Sequence, residues 1–511
     1  MTPLHAEKRT IPALLANAAR LGGNNDWLRS EGTVLGFAQC AEAVNLRVEQ
    51  LRHAGLGPDA RIAVTLPSGP DAVLTLLAVM SSGALAMPID PSLSDTALRE
   101  LLIKARVDLL ITNDNLKDMP VPTGTATANG LDVPAIGSAI EPADPTPDTA
   151  ALVVFSSGST GQPKGVVLSH RALIVAAEAT AFGLEIAPTH IIATSNPLFH
   201  INAIAYAMLA SLCATAPFVL YARFSASRMA EWIARDQVNV LVLAAAALPM
   251  WWEKLKSAEP QRLAFRRILT GGAAPAIAAG LFEKTGALIH TGYALSECPL
   301  GLLAPRPSEG HPQPSPAIGR IPRHPSSDVH CDAGLFDPSG HKVTGGGEGE
   351  IRLRNPAAMN GYLDDPEATA AVVKDGWVLT GDLGRRAPDG TFIYVSRMKD
   401  MLRRNGEMFA PADIEIALRQ LPDVQDVAVS AFDAGLGVGE DGIAAFVEPK
   451  AGKRLSLAGL EVFCRDRLPK HKRPDHIVIV SEFPRTGLGK PRKAQLIAML
   501  GDRLDNKVPQ K

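Results

Sequence analysis

The segment ALVVFSSGSTGQPKGVVLSH, residues 151–170, is an apolar strand-like run followed by a loop of glycines and hydroxyl residues that ends at Lys164. Glycine allows several backbone N–H groups to point at one anion, hydroxyl groups add donors, and lysine adds charge. The loop is not a Walker A loop, because Pro163 precedes the lysine and Gly165 follows it. A flexible linker is the alternative. The segment predicts a triphosphate site whose candidate residues are Ser156, Ser157, Gly158, Ser159, Thr160, Gly161 and Lys164.

Outward from this segment, short apolar runs alternate with helix-length segments between Arg61 and His290. Such alternation predicts an α/β fold, with a large N-terminal domain of layered, mostly parallel sheets covered by helices. Short strands and Gly-rich turns from Gly319 to Tyr394 predict a small β subdomain. After Lys399, the pattern predicts a small α+β unit. The strand-like runs of the large domain are 61–66, 108–112, 151–157, 239–245 and 266–272.

Composition excludes several classes of protein. Lys and Arg total 51 against 53 Asp and Glu, so the chain as a whole has no net positive charge that would attract nucleic acid. The five cysteines form no CxxC pair, which argues against a disulfide scaffold and a zinc site. The N-terminus has no export pattern, so a cytoplasmic location is expected. The uncharged run 201–221 is interrupted by Pro217, which predicts a buried helix and a strand and no membrane span.

Six further motifs follow the phosphate loop in order along the chain. With that loop, they resemble the signatures of the adenylate-forming superfamily, which contains acyl-CoA synthetases, nonribosomal peptide adenylation domains and beetle luciferases. The resemblance extends from the first helix to Leu496. The motifs are PLFHINA (197–203), GGAAP (271–275), TGYALSE (291–297), WVLTGDLG (377–384), SRMKDMLRRNGEMFAPADIE (396–415) and PRTGLGKPRK (484–493).

The resemblance implies a nucleotide site. Glu297 would ligate Mg²⁺ on the phosphates with Thr160 near the same ion, and a hard cation with oxygen ligands suits phosphate. Asp382 would accept hydrogen bonds from both ribose hydroxyls, and Arg397 would lie near ribose and phosphate. Tyr293 would stack on adenine, and Gly272 and Ala273 would line the other side of the ring. Two further candidate cofactor-binding residues stand where Gly and Thr are commoner: Ala294, which could narrow the end of the acyl pocket, and Ser296, which keeps a hydroxyl before Glu297.

The resemblance also implies a mobile C-terminal domain. An N-terminal domain of residues 1–396 would be joined through a hinge at 397–400, centred on Lys399, to a C-terminal domain of residues 401–511. Lys490 would be the catalytic lysine that contacts the α-phosphate and the carboxylate. After rotation about the hinge, Gly406 would line the pantetheine tunnel, with His200 at the junction of the acyl and thiol channels. Lys472 belongs to a basic C-terminal segment that could receive the phosphates of CoA.

These features favour an acid:CoA ligase that uses ATP, Mg²⁺ and CoA. A carboxylic acid would become an acyl-AMP with release of pyrophosphate, and CoA would then take the acyl group with release of AMP. Two alternatives stay open: an acyl-AMP ligase that loads a separate carrier protein, and a nucleotide-binding sensor with degraded catalysis. Betaine-type, medium-chain fatty and aryl acids are all candidate substrates, and a homodimer is left open.

Overall fold

The structure is a computed structural model that describes most of the chain. The described residues are 2–113, 125–129, 134–138, 144–157, 163–257, 266–272, 275–303, 317–344, 346–404, 407–432, 441–485 and 491–505. Several site residues predicted from the sequence lie outside these ranges, namely Gly158, Ser159, Thr160, Gly161, Ala273, Gly406 and Lys490. The side chain of Ser157 is not described either.

The helices fall where the longer amphipathic or apolar segments occur. They are α1 (Ile11–Gly22), α2 (Phe37–His53), α3 (Pro70–Ser81), α4 (Asp95–Ala105), α5 (His170–Gly183), α6 (Ile201–Ala203), α7 (Ala210–Ala214), α8 (Met229–Arg235), α9 (Ala247–Leu255), α10 (Pro275–Thr285), α11 (Pro366–Val372), α12 (Pro411–Leu418), α13 (Leu457–Arg467) and α14 (Lys493–Asp505).

The strands include each of the five apolar runs picked out in the sequence. They are β1 (Asp26–Ser30), β2 (Thr33–Gly36), β3 (Arg61–Val64), β4 (Leu85–Pro88), β5 (Leu109–Thr112), β6 (Ala126–Asn129), β7 (Ala150–Ser157), β8 (Pro163–Ser169), β9 (Ile192–Thr194), β10 (Phe218–Leu220), β11 (Val240–Val242), β12 (Arg267–Thr270), β13 (Leu288–Leu295), β14 (Cys298–Leu303), β15 (Ala317–Gly319), β16 (Asp332–Phe336), β17 (Glu348–Arg354), β18 (Gly361–Tyr362), β19 (Val373–Lys374), β20 (Trp377–Arg386), β21 (Phe392–Arg397), β22 (Leu402–Arg404), β23 (Glu407–Phe409), β24 (Val424–Phe432), β25 (Gly442–Pro449) and β26 (His476–Ile479).

Two sheets dominate the N-terminal part of the chain. One has the strand order β14-β13-β12-β11-β9-β10-β1-β2, and the other has the order β18-β8-β7-β4-β3-β5-β6. The pairings from β13 through β1 in the first sheet, and from β7 through β6 in the second, are parallel. Antiparallel strands close both edges of the first sheet, at β2 and β14, and one edge of the second sheet, at β8 and β18. The predicted α/β fold with mostly parallel sheets is therefore confirmed.

Alternating side chains divide the core into layers. On β3, Ile62 and Val64 belong to a cluster that also takes in the first sheet, α3 and α5, whereas Ala63 faces a separate cluster with α4. In the first sheet, Leu241 packs with α8 and α9. Because successive strand residues point to opposite faces, each sheet has one face on the shared core and one face under its own helices.

The uncharged run 201–221 forms helix and strand, as predicted. Helix α6 continues through a π-helical segment, Ile204–Leu209, into α7. The helix ends where Thr215 takes a left-handed conformation with φ of 52°, and β10 begins after Pro217. No helix within the described part of the chain is both long and apolar enough to cross a membrane.

Strand β6 was not predicted from the sequence. Its residues, ATAN, lack a run of apolar side chains, yet Leu109 pairs with Ala126 and Thr112 with Asn129 in a parallel register. An edge strand needs only one neighbour, and the backbone hydrogen bonds that hold it carry no side-chain signal.

The chain forms two compact units. The first contains Met1–Gly334, Arg352–Thr380 and Asp389–Phe392, and the second contains Leu335–Ile351, Gly381–Pro388 and Ile393–Lys511. A further sheet of short strands within residues 317–397 accounts for the predicted β subdomain. The hinge at 397–400, and with it the division at that point, remains a prediction.

The C-terminal part has the predicted α+β pattern. Strands β24, β25 and β26 form one sheet, with β24 antiparallel and β26 parallel to β25. One face packs on α12 and α13 through residues such as Val429 and Ala445. The other face packs on α14 through Phe446 and Leu496.

Candidate active site

The predicted phosphate loop connects two antiparallel strands. Strands β7 and β8 form a hairpin in which Ser156 faces Lys164 and Ser157 faces Pro163. Residues 158–162, the centre of the loop, lie outside the described residues. The hairpin returns Lys164 to a position beside Ser156, whereas a Walker A loop would lead from a strand into a helix. The candidate phosphate-binding residues at both ends of the loop are thus adjacent.

Gly165 has a packing role in this hairpin. It lies opposite Phe155 in the strand register. A Cβ at this position would lie 2.9 Å from Val153 Cγ1 and 3.2 Å from Leu363 Cβ. The close approach of these side chains requires glycine here, so Gly165 fixes the path of β8 just after the lysine.

Glu297 and Lys164 are linked through one tyrosine. Glu297 lies in the turn between β13 and β14, half-buried, and the Tyr362 hydroxyl donates a hydrogen bond of 2.8 Å to Glu297 Oε1. The Lys164 Nζ lies 4.8 Å from the centroid of the Tyr362 ring. The structure therefore brings the lysine of the predicted phosphate loop and the predicted metal ligand to one side chain, the lysine over its ring and the glutamate at its hydroxyl.

The residues around this cluster suit a magnesium ion that arrives with ATP. Among the described residues, no group of three or more His, Cys, Asp or Glu side chains could hold a metal. Glu297 nevertheless offers a carboxylate, and Mg²⁺ in phosphate-transfer sites is commonly held by one or two carboxylates together with phosphate oxygens and water. A single carboxylate fits a cation that is already bound to phosphate. It would not suffice for a metal ion held by protein ligands alone.

The predicted adenine residues lie at neighbouring strand ends. Strands β12 and β13 are parallel, with Thr270 opposite Thr291, and Gly272 follows β12 with a φ of 144° that favours glycine. Tyr293 and Ser296 are half-buried, and Ala294 is exposed. A Cβ at Gly301 would lie 1.9 Å from the carbonyl oxygen of Tyr293, so β14 approaches the Tyr293 backbone as only glycine allows.

Asp382 and Arg397 form an ion pair in the second unit. The Arg397 Nε lies 2.8 Å from Asp382 Oδ1, with the aspartate side chain 2% exposed and the arginine side chain 44% exposed. Gly381 precedes the aspartate with a φ of 65°, and its N–H donates to Glu350 at 3.1 Å. The two residues predicted to contact ribose and phosphate are therefore in direct contact with each other.

His200 is half-buried at the start of α6. Its ring centroid lies 4.6 Å from that of Phe199. Burial lowers the pKa of His200 below its usual value, and the nearby charge of Asp90 opposes that shift. The imidazole is consequently neutral at neutral pH.

The predicted residues of the C-terminal part have different surroundings. Lys399 is exposed in a short 3₁₀ turn, Met398–Asp400. The Lys472 ammonium lies 2.7 Å from Asp413 Oδ2 and 5.6 Å from the ring centroid of Phe409. Lys472 therefore already has an anionic partner. A CoA phosphate would have to share the Lys472 ammonium with Asp413 or displace that carboxylate.

Tyr362 is a site residue that sequence reasoning missed. It follows a glycine in the segment NGYLDD, and this local pattern alone does not indicate a functional role. A tyrosine in such a segment is equally typical of a turn or of the core. Its importance emerges from β18, which pairs with β8 so that Tyr362 lies opposite Val166. No pattern in the sequence indicates that pairing.

Comparisons with known proteins identify the family of the chain. Residues 15–363 match the AMP-binding enzyme family, and residues 413–490 match the AMP-binding enzyme C-terminal domain. The indoleacetate–CoA ligase of Aromatoleum aromaticum is 30% identical over 91% of this chain and 93% of its own. A feruloyl-CoA synthase from Amycolatopsis is 30% identical over 94% of this chain and 97% of its own.

A solved structure supports the same fold. ATP-bound MatB from Rhodopseudomonas palustris superimposes with a TM-score of 0.86 at 21% identity, over 97% of this chain and 99% of that one. The resemblance seen in the motifs is thus confirmed over nearly the whole chain. The chain belongs to the AMP-binding enzyme family, the adenylate-forming enzymes that include the acyl-CoA synthetases.

Proposed function

We propose that this protein is an ATP-dependent acid:CoA ligase. In the first half-reaction, a carboxylate oxygen bonds to the α-phosphorus of ATP and pyrophosphate leaves. In the second, the sulfur of CoA bonds to the acyl carbon, AMP leaves, and the thiol proton is released. The observation that carries the proposal is the cluster of Lys164, Tyr362 and Glu297 at the base of the phosphate loop.

The nucleotide roles follow from charge and position. Lys164 would offset the negative charge of the phosphates, the loop residues Ser156 to Gly161 would donate hydrogen bonds to them, and Glu297, with Thr160, would ligate a magnesium ion on them. That ion, when bound, would offset the charge that grows on the departing pyrophosphate. Lys490 would contact the α-phosphate and the acid. Tyr293, Gly272 and Ala273 would surround adenine, Ala294 would lie at the end of the acyl pocket, and Ser296 would place a hydroxyl beside Glu297.

The thioester half-reaction would use His200, Gly406 and Lys472 around the thiol and the CoA phosphates, with Lys399 in the hinge. Among the basic residues near Lys472, the Arg473 guanidinium donates to the carbonyl oxygens of Leu468 at 3.0 Å and Arg465 at 2.8 Å. Arg473 therefore already donates hydrogen bonds to two backbone carbonyl groups of its own domain. Lys472 is the better candidate for a CoA phosphate because its partner, Asp413, is a half-exposed carboxylate.

The acid is proposed to be apolar or aryl. The segments 200–207, 243–252, 272–274 and 293–301, where the acyl group would lie, contain no Lys, no Arg and only one carboxylate, Glu297. A second carboxylate on the substrate would lack a cationic partner there. Indoleacetate and ferulate, the acids named in two relatives, are both aryl acids, which supports the same class.

A cytoplasmic location is part of this proposal, because five free cysteines are typical of a reducing compartment. A homodimer remains a prediction that light scattering would test.

The proposal is tested by AMP release from ATP with a panel of acids. We expect AMP that depends on both the acid and CoA, together with a matching acyl-CoA detected by mass spectrometry. AMP release only with a pantetheinylated carrier protein would instead support the carrier-loading alternative. ATP binding without any acid-dependent pyrophosphate–ATP exchange would support the sensor and contradict the ligase.

Asp382→Asn should weaken ATP binding about tenfold, because a hydrogen bond to a charged group is replaced by one to a neutral amide. Isothermal titration with ATP and with 2′,3′-dideoxy-ATP measures the effect. The wild type should prefer ATP, and the variant should lose most of that preference. Asp389→Asn is the matched control, because Asp389 pairs with Arg320 at 2.6 Å on the surface. Retention of the full preference for ATP by the Asp382 variant would contradict the ribose assignment.

A further inference from the structure

The backbone holds Tyr362 firmly between two elements of the site. Its N–H donates to the Thr369 hydroxyl at 2.8 Å, and the next residue, Leu363, donates to the carbonyl of Gly165 at 2.7 Å. On the other side, the Met359 N–H donates to the carbonyl oxygen of Glu297 at 2.9 Å. The segment 359–363 thus joins β8 to the turn that carries the glutamate.

An ion pair anchors the far end of the same segment. The two terminal guanidinium nitrogens of Arg61 on β3, Nη1 and Nη2, donate to the carboxylate oxygens of Asp364, each at 2.7 Å. Asp364 has a positive φ of 53°, a conformation uncommon for a residue with a side chain. Such bidentate pairs add geometric specificity, so the position of Tyr362 does not depend on its own hydroxyl.

The hydroxyl of Tyr362 acts as a donor to Glu297. An ionised carboxylate can only accept a hydrogen bond, so the phenol O–H is the donor in this contact. Within the described part of the chain, Glu297 Oε2 receives no hydrogen bond, whereas Oε1 receives the one from Tyr362. Among the described residues, the carboxylate is therefore held through one of its two oxygens.

The ring of the same residue contacts Lys164. A cation over an aromatic face is attracted by the ring electrons, and the distance of 4.8 Å lies within the usual range. The ring restricts the position of the ammonium. Unlike a carboxylate partner, the ring does not neutralise the charge of the ammonium. Lys164 is thus positioned while its charge remains available for a phosphate.

We propose that Tyr362 is a positioning residue that orients Glu297 toward a divalent cation carried by ATP and steadies Lys164 at the phosphate loop. The inference rests on the proposed function, since it assumes that the cluster meets a metal-bound nucleotide. Its two parts are separable, because the hydroxyl serves Glu297 and the ring serves Lys164.

The test measures ATP binding by isothermal titration, first in EDTA and then across a series of Mg²⁺ concentrations. Tyr362→Phe keeps the ring, so metal-free ATP binding should match that of the wild type. The Mg²⁺ concentration that half-saturates the tightening of ATP binding should rise about tenfold, the lower end of the usual effect of losing an outer-shell partner of a metal ligand. Tyr362→Leu should weaken metal-free ATP binding as well, because it also removes the ring.

Tyr221→Phe is the matched control. The Tyr221 hydroxyl also donates to a carboxylate, Asp236 Oδ2, at 3.0 Å, but it does so beside β10. This variant should keep the wild-type Mg²⁺ dependence, although it too loses a buried hydrogen bond. A purely structural role for Tyr362 would make the Phe variants at both positions behave alike, and that result would overturn the inference.

A double variant separates the inference from the proposed function. In a Glu297→Gln background, Tyr362→Phe should cause no further change in Mg²⁺ dependence, because the two residues act through one contact. Independent, additive effects would overturn the positioning role. If wild-type protein shows no Mg²⁺-dependent binding of ATP at all, the proposed function fails, whatever the variants do.

Discussion

Replacing Lys490 with alanine should reduce pyrophosphate–ATP exchange by about 10²- to 10³-fold, the usual effect of removing one donor from a developing negative charge. Lys490 lies outside the described residues, but the flanks of its loop are joined. Arg485 and Pro491 form a β-bridge, and the Arg492 N–H donates to the carbonyl of Pro484 at 2.7 Å. The measurement is isotope exchange between pyrophosphate and ATP in the presence of the acid.

The residue before the segment 486–490 is held to the C-terminal sheet, because Arg485 contacts Asp426 at 3.1 Å and Glu448 at 2.6 Å. Lys493→Ala is the matched control, because the Lys493 ammonium lies 3.9 Å from Glu415 in α12. Exchange should survive that change. Conversion of preformed acyl-AMP and CoA to the thioester should survive in the Lys490 variant, and undiminished exchange there would contradict the assignment of the lysine.

Replacing Arg9 with methionine should lower the free energy of unfolding of the first unit by about 3–5 kcal/mol, because it leaves a buried carboxylate without its cation. The Arg9 Nε lies 3.1 Å from Glu178 Oε2, and the two side chains are 1% and 2% exposed. Glu178 also accepts from the N–H of Leu4 at 2.7 Å and lies 3.3 Å from His324 Nε2. The effect is measured as the shift in the urea concentration at which the first unit is half unfolded.

The rest of the Arg9 network sets the pH range of this test. Arg9 also donates to both oxygens of Asp328 and holds the pKa of that carboxyl well below its usual range. A carboxyl whose pKa is lowered by folding stabilises above its unfolded pKa and loses that contribution only as the pH falls through the folded value. The difference between variant and wild type should therefore persist from neutral pH to about pH 5.

The matched control for Arg9 is Arg171→Met. Arg171 contacts Asp148 at 2.8 Å, but the two side chains are 27% and 77% exposed. An exposed pair of this kind contributes about 0–1 kcal/mol. Adding Glu178→Leu to Arg9→Met should recover part of the lost stability, because the stranded charge is removed. If the Arg9 and Arg171 variants lose equal free energy of unfolding, burial does not explain the contribution of the Arg9–Glu178 pair to stability.

The local elements were predictable because they rest on short-range patterns. Apolar runs such as 61–66 and 108–112 became strands, and the uncharged run 201–221 became a helix and a strand around Pro217. Side-chain periodicity and the conformational preferences of Gly and Pro act over a few residues, so one sequence suffices to read them. The adenylate-forming family was readable for a similar reason, since its motifs are short and ordered.

Contacts between distant segments were not predictable. Tyr362 and Glu297 are 65 residues apart, and Arg9 and Glu178 are 169 residues apart. The unpredicted strand β6 likewise forms only because β5 offers it a free edge.

By itself, the sequence determined the α/β class and the family to which the chain belongs, and it predicted the phosphate loop with Lys164. Only the tertiary structure decided that this loop closes a hairpin, that Tyr362 joins Lys164 to Glu297, and that Asp382 pairs with Arg397. The physical reason is that strand pairing and burial bring together side chains whose separation along the chain leaves no periodic signal.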